Sequence, residues 1–515
     1  MITQQFKTSI LIFAIACIFM ASCKKEAYNK VTTNADSSTV ITNATPGSLE
    51  TSLTDAEKAN TTKLVITGNI DARDFKVMHL DMPKLTSIDL SKTNIVSYSG
   101  TVIINYSGFG SGHVGEIDPM HRPFNANLIP YCAFIGKIHL TSIKLPNSIK
   151  AIGESSFLFC SGLKEVQIPP SDTIIGEQAF YGCSSLSSIT IPNSVTTIGD
   201  AAFYDCISLS SITIPSSITT INMCTFLGCT NLKSITIPSS VKNLYDGAFS
   251  RCTGLTTVTI PATVTNWGDA IFQGCTSLKS VTLDPSLKYL GNNLFEDCTN
   301  LSSISLPTSI KNIPIGLFYD CKSLTSISIP PTVSTINRCA FDGCSSLTSI
   351  NISNGVISIG NMAFFRCTSL KSITIPNSVT IINKGTFSSC SNLESIYLPN
   401  SIKSIGENSF GFCSKLTSFT IPSSVTLIGQ IAFTNDSNLA TITIPSSVTE
   451  IDYNAFNGCS GLQSIHINKA TAIEISSDVF EGVKSSSCTL YVPIGSKSVY
   501  QIADGWKDFQ NIVEE

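Results

Sequence analysis

The sequence predicts a mostly β solenoid of about fifteen stacked 23-residue units, built on a parallel sheet and closed by an N-terminal and a C-terminal cap. Three observations predict it. A Phe recurs every 23 residues without a slip from Phe134 through Phe157, Phe180 and Phe203 to Phe456, fifteen in all. Three residues after each Phe stands a Cys, from Cys160 to Cys459, with Lys137 and Asp436 as the two exceptions. Six residues after each Phe stands a Leu, from Leu140 to Leu462. Self-similarity at a period between 20 and 30 is the mark of a solenoid, because a unit that short cannot bury its own apolar face and must stack on its neighbours.

Each element of the unit follows from its pattern. Leu186-Ser-Ser-Ile189-Thr190-Ile191-Pro192 alternates with period two, so it is a short strand with Ile189 and Ile191 inward. Pro192 has no N–H to donate and ends the ladder. Stacked strands about 4.7–4.9 Å apart make one parallel sheet, roughly 70 Å long over fifteen units. An apolar pair such as Val195 and Ile198 closes the unit. Gly199 and its equivalents Gly153, Gly176, Gly360, Gly406 and Gly429 mark a turn that needs a glycine backbone. The Ala-Phe-x-x-Cys stretch is too short for a regular helix and reads as one tight turn with its Phe inward.

The strand half, Leu-x-x-Ile-x-Ile, resembles that of a leucine-rich repeat. The full unit, Ile198-Gly-Asp-Ala-Ala-Phe203-Tyr-Asp-Cys206-Ile-Ser-Leu209-Ser-Ser-Ile212-Thr-Ile214-Pro215, is similar to the BspA-like leucine-rich repeats found on surface proteins of Bacteroidota and of some mucosal protozoa. The likeness is strong over residues 133–470. Leu64 to Asp74 resembles the family's N-terminal unit, and Leu490-Tyr-Val-Pro493 through Gly505-Trp506 resembles its C-terminal cap. The resemblance is specific for the fold and poor for a ligand, since one fold carries many partners.

Charged residues are only 13% of the chain and its net charge is −4, with no basic run. Nucleic acid and anionic membrane surfaces are therefore poor electrostatic partners. At the N-terminus, Lys7 precedes an apolar run, Ile10 to Met20, that is too short to span a bilayer. It ends in Met20-Ala21-Ser22-Cys23, which resembles a bacterial lipobox with Cys23 as the lipidated residue. The alternative is an ordinary signal peptide with an incidental Cys. Lys24-Lys25-Glu26 partly matches the surface-export context of Bacteroidota lipoproteins. Residues 27–52 are rich in Thr, Ser, Asn and Ala and read as a flexible tether with an r.m.s. span of roughly 25–30 Å. The expected organisation is a lipoprotein signal peptide (1–22), a lipid-attached tether (23–52), an N-terminal cap with an irregular insertion (53–132), the repeats (133–470) and a C-terminal cap (471–515).

Nineteen cysteines in an exported chain ordinarily point to disulfides. Thirteen of them, however, share one slot of the frame and stack with parallel Cβ vectors, which does not suit a disulfide. Cys is also a good small buried residue. The reading is a column of free, buried thiols, and the exceptions Lys137 and Asp436 place the slot at the edge of the core. Cys224 and Cys339 share a second slot, two residues before a Phe, with no role assigned.

Little in the sequence points to chemistry. Gly110-Ser-Gly112-His-Val-Gly115 has the glycines of a dinucleotide fingerprint, but Pro119 and Pro123 follow where a helix is needed, so a glycine-rich loop is the better reading. His113, His121 and Cys132 lack recognised ligand spacing for a metal. No zinc Cys pair, His-Glu-x-x-His, nucleophile elbow or Walker loop occurs. The expectation is no enzyme, no metal and no cofactor. Segment 96–132 interrupts the frame, since Leu85 to Leu140 is 55 residues and not a multiple of 23. It carries Tyr98, Tyr106, Phe109, His113, His121 and Arg122 and reads as a cap shielding the first apolar repeat, with a binding loop as the alternative.

The candidate binding face is the outward side of the strands, where leucine-rich repeat proteins usually hold ligands. One row runs from Ser188 to Ser464. The other includes Thr190, Thr213, Thr236, Thr259, Thr282, Asn351, Thr374, Tyr397, Thr420, Thr443 and His466. Thr is favoured on strands and hydroxyl neighbours stabilise a stacked sheet, so the columns also have a purely structural explanation. The same regularity admits an ice-binding array, which generic sheet stabilisation makes unnecessary. A tailored site breaks such uniformity with aromatic or charged anchors. Breaks occur at Tyr397 with Glu394, at His466 with Gln463 and at Glu165 with Gln167, and the zone around Glu394 and Tyr397 is the preferred one.

The resemblance implies a lipid-anchored, surface-exposed outer-membrane protein that binds host matrix, epithelial or bacterial proteins through many weak contacts. Its membrane contact is through the N-terminal lipid alone. A glycan-capturing lipoprotein and a ligand-free structural surface component are the alternatives.

Overall fold

The computed structural model describes residues 30–31, 37–102 and 124–515. The signal peptide, Cys23 and the loop residues Gly110, His113, His121 and Arg122 lie outside the described residues. The chain is a mostly β, parallel-sheet solenoid that divides into two compact bodies, Met1–Leu255 and Thr256–Glu515. No helix among the described residues is long and apolar enough to cross a membrane.

In the first body, strand Lys30–Val31 runs antiparallel to Ser38–Ala44 and closes the edge of the sheet. Strands Lys63–Ile70, Ser87–Ile95, Ser142–Lys144 and Glu165–Gln167 follow in parallel. Ser87 pairs with Ser142, so the 55-residue interval holds one strand spacing. Its stems are clasped by a Tyr98–Phe124 bridge, and Val102, Phe124, Cys132 and Ile135 bury against Ala72 of helix Ala72–Leu80.

The tether expected over 23–52 does not extend that far. Ser38–Ala44 is a strand whose residues Thr39, Ile41 and, past a bulge, Ala44 are buried, with Thr39 Oγ1 and Thr61 Oγ1 sharing a hydrogen bond at 2.9 Å. Leu49–Ser52 is a short helix, and Asp74 accepts the Leu49 and Gly47 N–H groups at 2.9 and 2.8 Å. The N-terminal cap thus takes in residues 38–52 as well. Polar composition hid this strand, because Thr39 shares its buried side with Ile41 and Ala44.

Two further ladders run between neighbouring repeats. One pairs short strands such as Ala151–Ile152, Ile174–Ile175 and Thr197–Ile198. The other lies in the Phe segment. Ala201, Phe203 and Asp205 donate to Met223, Thr225 and Leu227 of the next repeat, while Ala202, Tyr204 and Cys206 donate three residues back within their own repeat. This alternation satisfies the backbone without a helix, and it puts Ala201 and Asp205 at φ 52°. Gly199 does not have a positive φ. It is required because a Cβ there would lie 2.4 Å from the Glu177 nitrogen of the preceding repeat.

The core is a column of buried Phe rings stacked 5.2–5.5 Å apart from Phe134 to Phe249 in the first body. Burying each ring is worth about 1.5–3 kcal/mol. Phe75 closes that column edge-on to Phe134 at 5.7 Å. The second body has its own Phe column, which ends with Phe480 at 5.4 Å from Phe456, beneath the buried Trp506 of the C-terminal cap. The cap itself adds strands Thr489–Val492 and Asn511–Glu514 to the sheet.

The frame cysteines form a ladder of their own. Each thiol shown donates to the carbonyl of the Phe 26 residues earlier, as in Cys160 to Phe134 at 3.0 Å and Cys344 to Phe318 at 3.2 Å. The slot is not at the edge of the core: Lys137 and Asp436 are buried too. Lys137 reaches the Met82 carbonyl at 2.8 Å, and Asp436 Oδ1 accepts the Cys413 N–H at 2.7 Å.

Candidate ligand face

The outward side chains stand where strand alternation puts them. In the first body Thr190, Thr213 and Thr236 are exposed. In the second, Thr259, Thr282, Asn351, Thr374, Tyr397 and Thr420 are exposed, while Thr443 and His466 are half-buried. Parallel register aligns them: Thr259 faces Thr282, Thr374 faces Tyr397, Thr420 faces Thr443 and Thr443 faces His466.

Tyr397 is 60% exposed in a row of small side chains. Glu394 is exposed just before strand Ser395–Tyr397, and its N–H is held by the Lys371 carbonyl at 2.9 Å. Glu394 thus precedes Tyr397 by three residues, placing an exposed carboxyl side chain close in sequence to an exposed aromatic one.

His466 is engaged rather than free. Its ring stacks on Tyr491 at 4.5 Å, and its Nδ1 lies 2.8 Å from Glu515 Oε1. Tyr491 belongs to the row but stands 25 residues after His466, so the 23-residue frame could not reveal it. A shallow groove of about 560 Å³ opens on the same face over Ser280, Thr282, Ser305, Ser328 and Asn351, with Ile304 and Ile327 in its floor. It forms where Ser replaces Thr in the outer row and two methyl groups are lost. No ionisable side chain lines it.

The remaining chemistry-bearing residues are engaged in packing. Burial pushes the frame thiols up, with Cys390 reaching about 12, so they are poor nucleophiles. Cys132 is buried in the apolar cluster beside the insertion. No group of three His, Cys, Asp or Glu among the described residues could hold a metal ion. Arg366 lies 2.7 Å from Asp342 and over the rings of Phe365 and Tyr319 at 5.4 and 5.6 Å. Burial raises Asp342 to about 6 against the pull of Arg366. This cluster is satisfied internally, and the frame gave no signal for it because it joins three different repeats.

The family profile described as BspA type leucine rich repeat region (6 copies) matches residues 127–255, 196–323, 311–440 and 427–504. No curated protein matches the chain. Among solved structures, a leucine-rich repeat protein from Bacteroides ovatus is 24% identical, covering 87% of this chain and 94% of that one with a TM-score of 0.44. A leucine rich cell surface protein from Faecalibacterium prausnitzii is 25% identical, covering 88% and 96%, with a TM-score of 0.40. The pneumococcal vaccine antigen PcpA is 17% identical, covering 95% and 96%, with a TM-score of 0.33.

Proposed function

Since the chain belongs to the family of BspA-type leucine-rich repeat proteins, we propose that it is a surface-held binding protein that contacts host or bacterial proteins through its outward strand face and performs no catalysis. A lipid on Cys23 would hold it to the outer membrane with the repeats outside the cell. The observation that carries the reading is the exposed Tyr397 beside Glu394, an aromatic and a charged anchor in an otherwise uniform hydroxyl row. Aromatic residues dominate protein-binding hot spots, whereas uniform Ser and Thr contribute little each. Many copies on one cell would multiply a weak single contact.

The test is binding of soluble residues 27–515 to mucosal cells and matrix proteins, with and without periodate oxidation of glycans. Binding that survives periodate supports a protein ligand. Loss after periodate favours glycan capture, and no binding in either arm leaves a structural surface component.

A further inference from the structure

In the second body one repeat is left out of the second ladder on both of its sides. Where the ladder is paired, Ser334 N–H donates to the Lys311 carbonyl at 2.9 Å and Asn337 N–H to Ile313 at 3.0 Å. Among the described residues, the backbone groups of Lys288, Tyr289, Leu290 and Gly291 make no such bond to either neighbouring repeat. Their segment is not a strand, and the ladder resumes only at Asn312–Ile313.

Added side-chain volume accompanies this two-sided break. The position before the core Phe is Ala340 and Ala363 in later repeats, but here it holds Ile271, Leu294 and Leu317, all fully buried. The Phe rings are correspondingly farther apart, at 6.1 Å for Phe272–Phe295 and 6.0 Å for Phe295–Phe318, against 5.4 and 5.5 Å for the next pairs after Phe341. Trp267 also replaces the usual buried Ile of the second ladder and remains half-buried. Protein interiors are close-packed, so added volume must move the stack.

What the break presents outward is distinct from the hydroxyl face. Tyr289 is 65% exposed. One repeat away on either side, at the same position of the frame, stand Asn266 and Asn312, both exposed. We propose that this patch is a subsite for a neutral saccharide. The Tyr289 ring would take the C–H face of one sugar ring, with Trp267 at its border. The sugar hydroxyls would meet the Asn312 amide and the backbone N–H and C=O groups of Lys288–Leu290.

The chemistry favours this ligand over a protein. Hydroxyls both donate and accept, as do amides and an unpaired strand backbone. A stable protein interface needs about 800 Å² from each partner, whereas here one exposed ring is bracketed by polar residues. A single pyranose matches the patch in size. The site is separate from Tyr397, so it stands or falls independently of the proposed protein-binding face.

The protein contains a convenient reporter, because its other Trp, Trp506, is fully buried and donates to the Ile473 carbonyl at 2.8 Å. Titrating the full chain with cellohexaose, mannohexaose and xylohexaose should give a saturable shift of Trp emission with at least one of them. The shift should vanish in Trp267→Phe. Tyr289→Ala should weaken binding at least about tenfold, equivalent to roughly 1.4 kcal/mol, while Tyr289→Phe and Tyr397→Ala should leave it unchanged. No saturable shift with any of the three sugars would overturn the proposal. So would equal binding by Tyr289→Ala, or binding confined to oligogalacturonate, which would mean an ionic contact to Lys288 instead.

Discussion

The thiol of Cys183 donates to the carbonyl oxygen of Phe157, 26 residues earlier, at 3.2 Å. That oxygen also accepts the N–H of Cys160, three residues after it in its own repeat. One carbonyl therefore ties a repeat to itself and to the next, which is why the Phe and Cys slots keep a common frame. Cys321→Ala removes such a thiol in the middle of the second body. It should cost about 1–2 kcal/mol through the lost hydrogen bond and the small void it leaves, measured by denaturant unfolding with an unchanged m-value.

The same burial predicts reactivity. Cys339 is only half-buried, whereas Cys298, Cys321 and Cys344 are fully buried with thiol pKa values well above the ordinary one. Iodoacetamide followed by peptide mass spectrometry should label Cys339 in the native protein well before these three. Equal labelling of all four without denaturant would show that the ladder is open to solvent.

Two buried acids make stability depend on pH in a definite direction. Asp172 occupies the position held by Val195 and Ile218 in the next repeats, and Asp436 occupies the thiol slot. Each has one carboxylate oxygen, Oδ2, without a protein partner. Burial raises Asp172 from 3.8 to about 6 and Asp436 well above 3.8. A folded pKa above the unfolded one means that the folded state binds the extra proton. The stabilisation is complete below 3.8 and, for Asp172, is lost as pH rises through about 6. Asp172→Val should therefore raise stability at neutral pH by about 1–3 kcal/mol and flatten the pH profile between those values. Asp436→Cys should act in the same direction and extend the thiol ladder.

Backbone geometry supplies an opposed pair of variants. Gly343 has φ +73°, and a Cβ on it would lie 1.9 Å from Asp320 Oδ1, the side chain that leans into the vacant space. Gly343→Ala should destabilise by about 1–3 kcal/mol. Ile431 is a β-branched residue at φ 49°, and Ile431→Gly should raise the thermal midpoint, because that conformation is strained for Ile alone of the two. Opposite signs in calorimetry are the expected outcome.

The repeat, the inward Phe and the outward rows were legible because a strict period makes each residue's environment a copy of its neighbour's. Phe203 announces where Phe226 lies. The features that escaped are those with no repeating signature. The strand Ser38–Ala44 is mainly polar. Tyr491 lies out of frame. The two-sided ladder break at Lys288–Gly291 coincides with Ile271, Leu294 and Leu317 in a slot that elsewhere holds small residues. The second ladder itself went unread because its strands, such as Thr197–Ile198, are two residues long and show no alternation. The glycine requirement at Gly199 was legible as a residue but not in its cause, since close approach between repeats is a property of stacking.

The central claim, that the outward strand face binds a protein through Tyr397 and Glu394, is tested most directly by one affinity comparison. Soluble residues 27–515 and the Tyr397→Ala, Glu394→Ala double variant are titrated against the matrix protein that binds best after periodate treatment. The account predicts that the variant keeps the same thermal midpoint and binds at least about tenfold more weakly. Equal Kd values for the two proteins, with both folded, would contradict it.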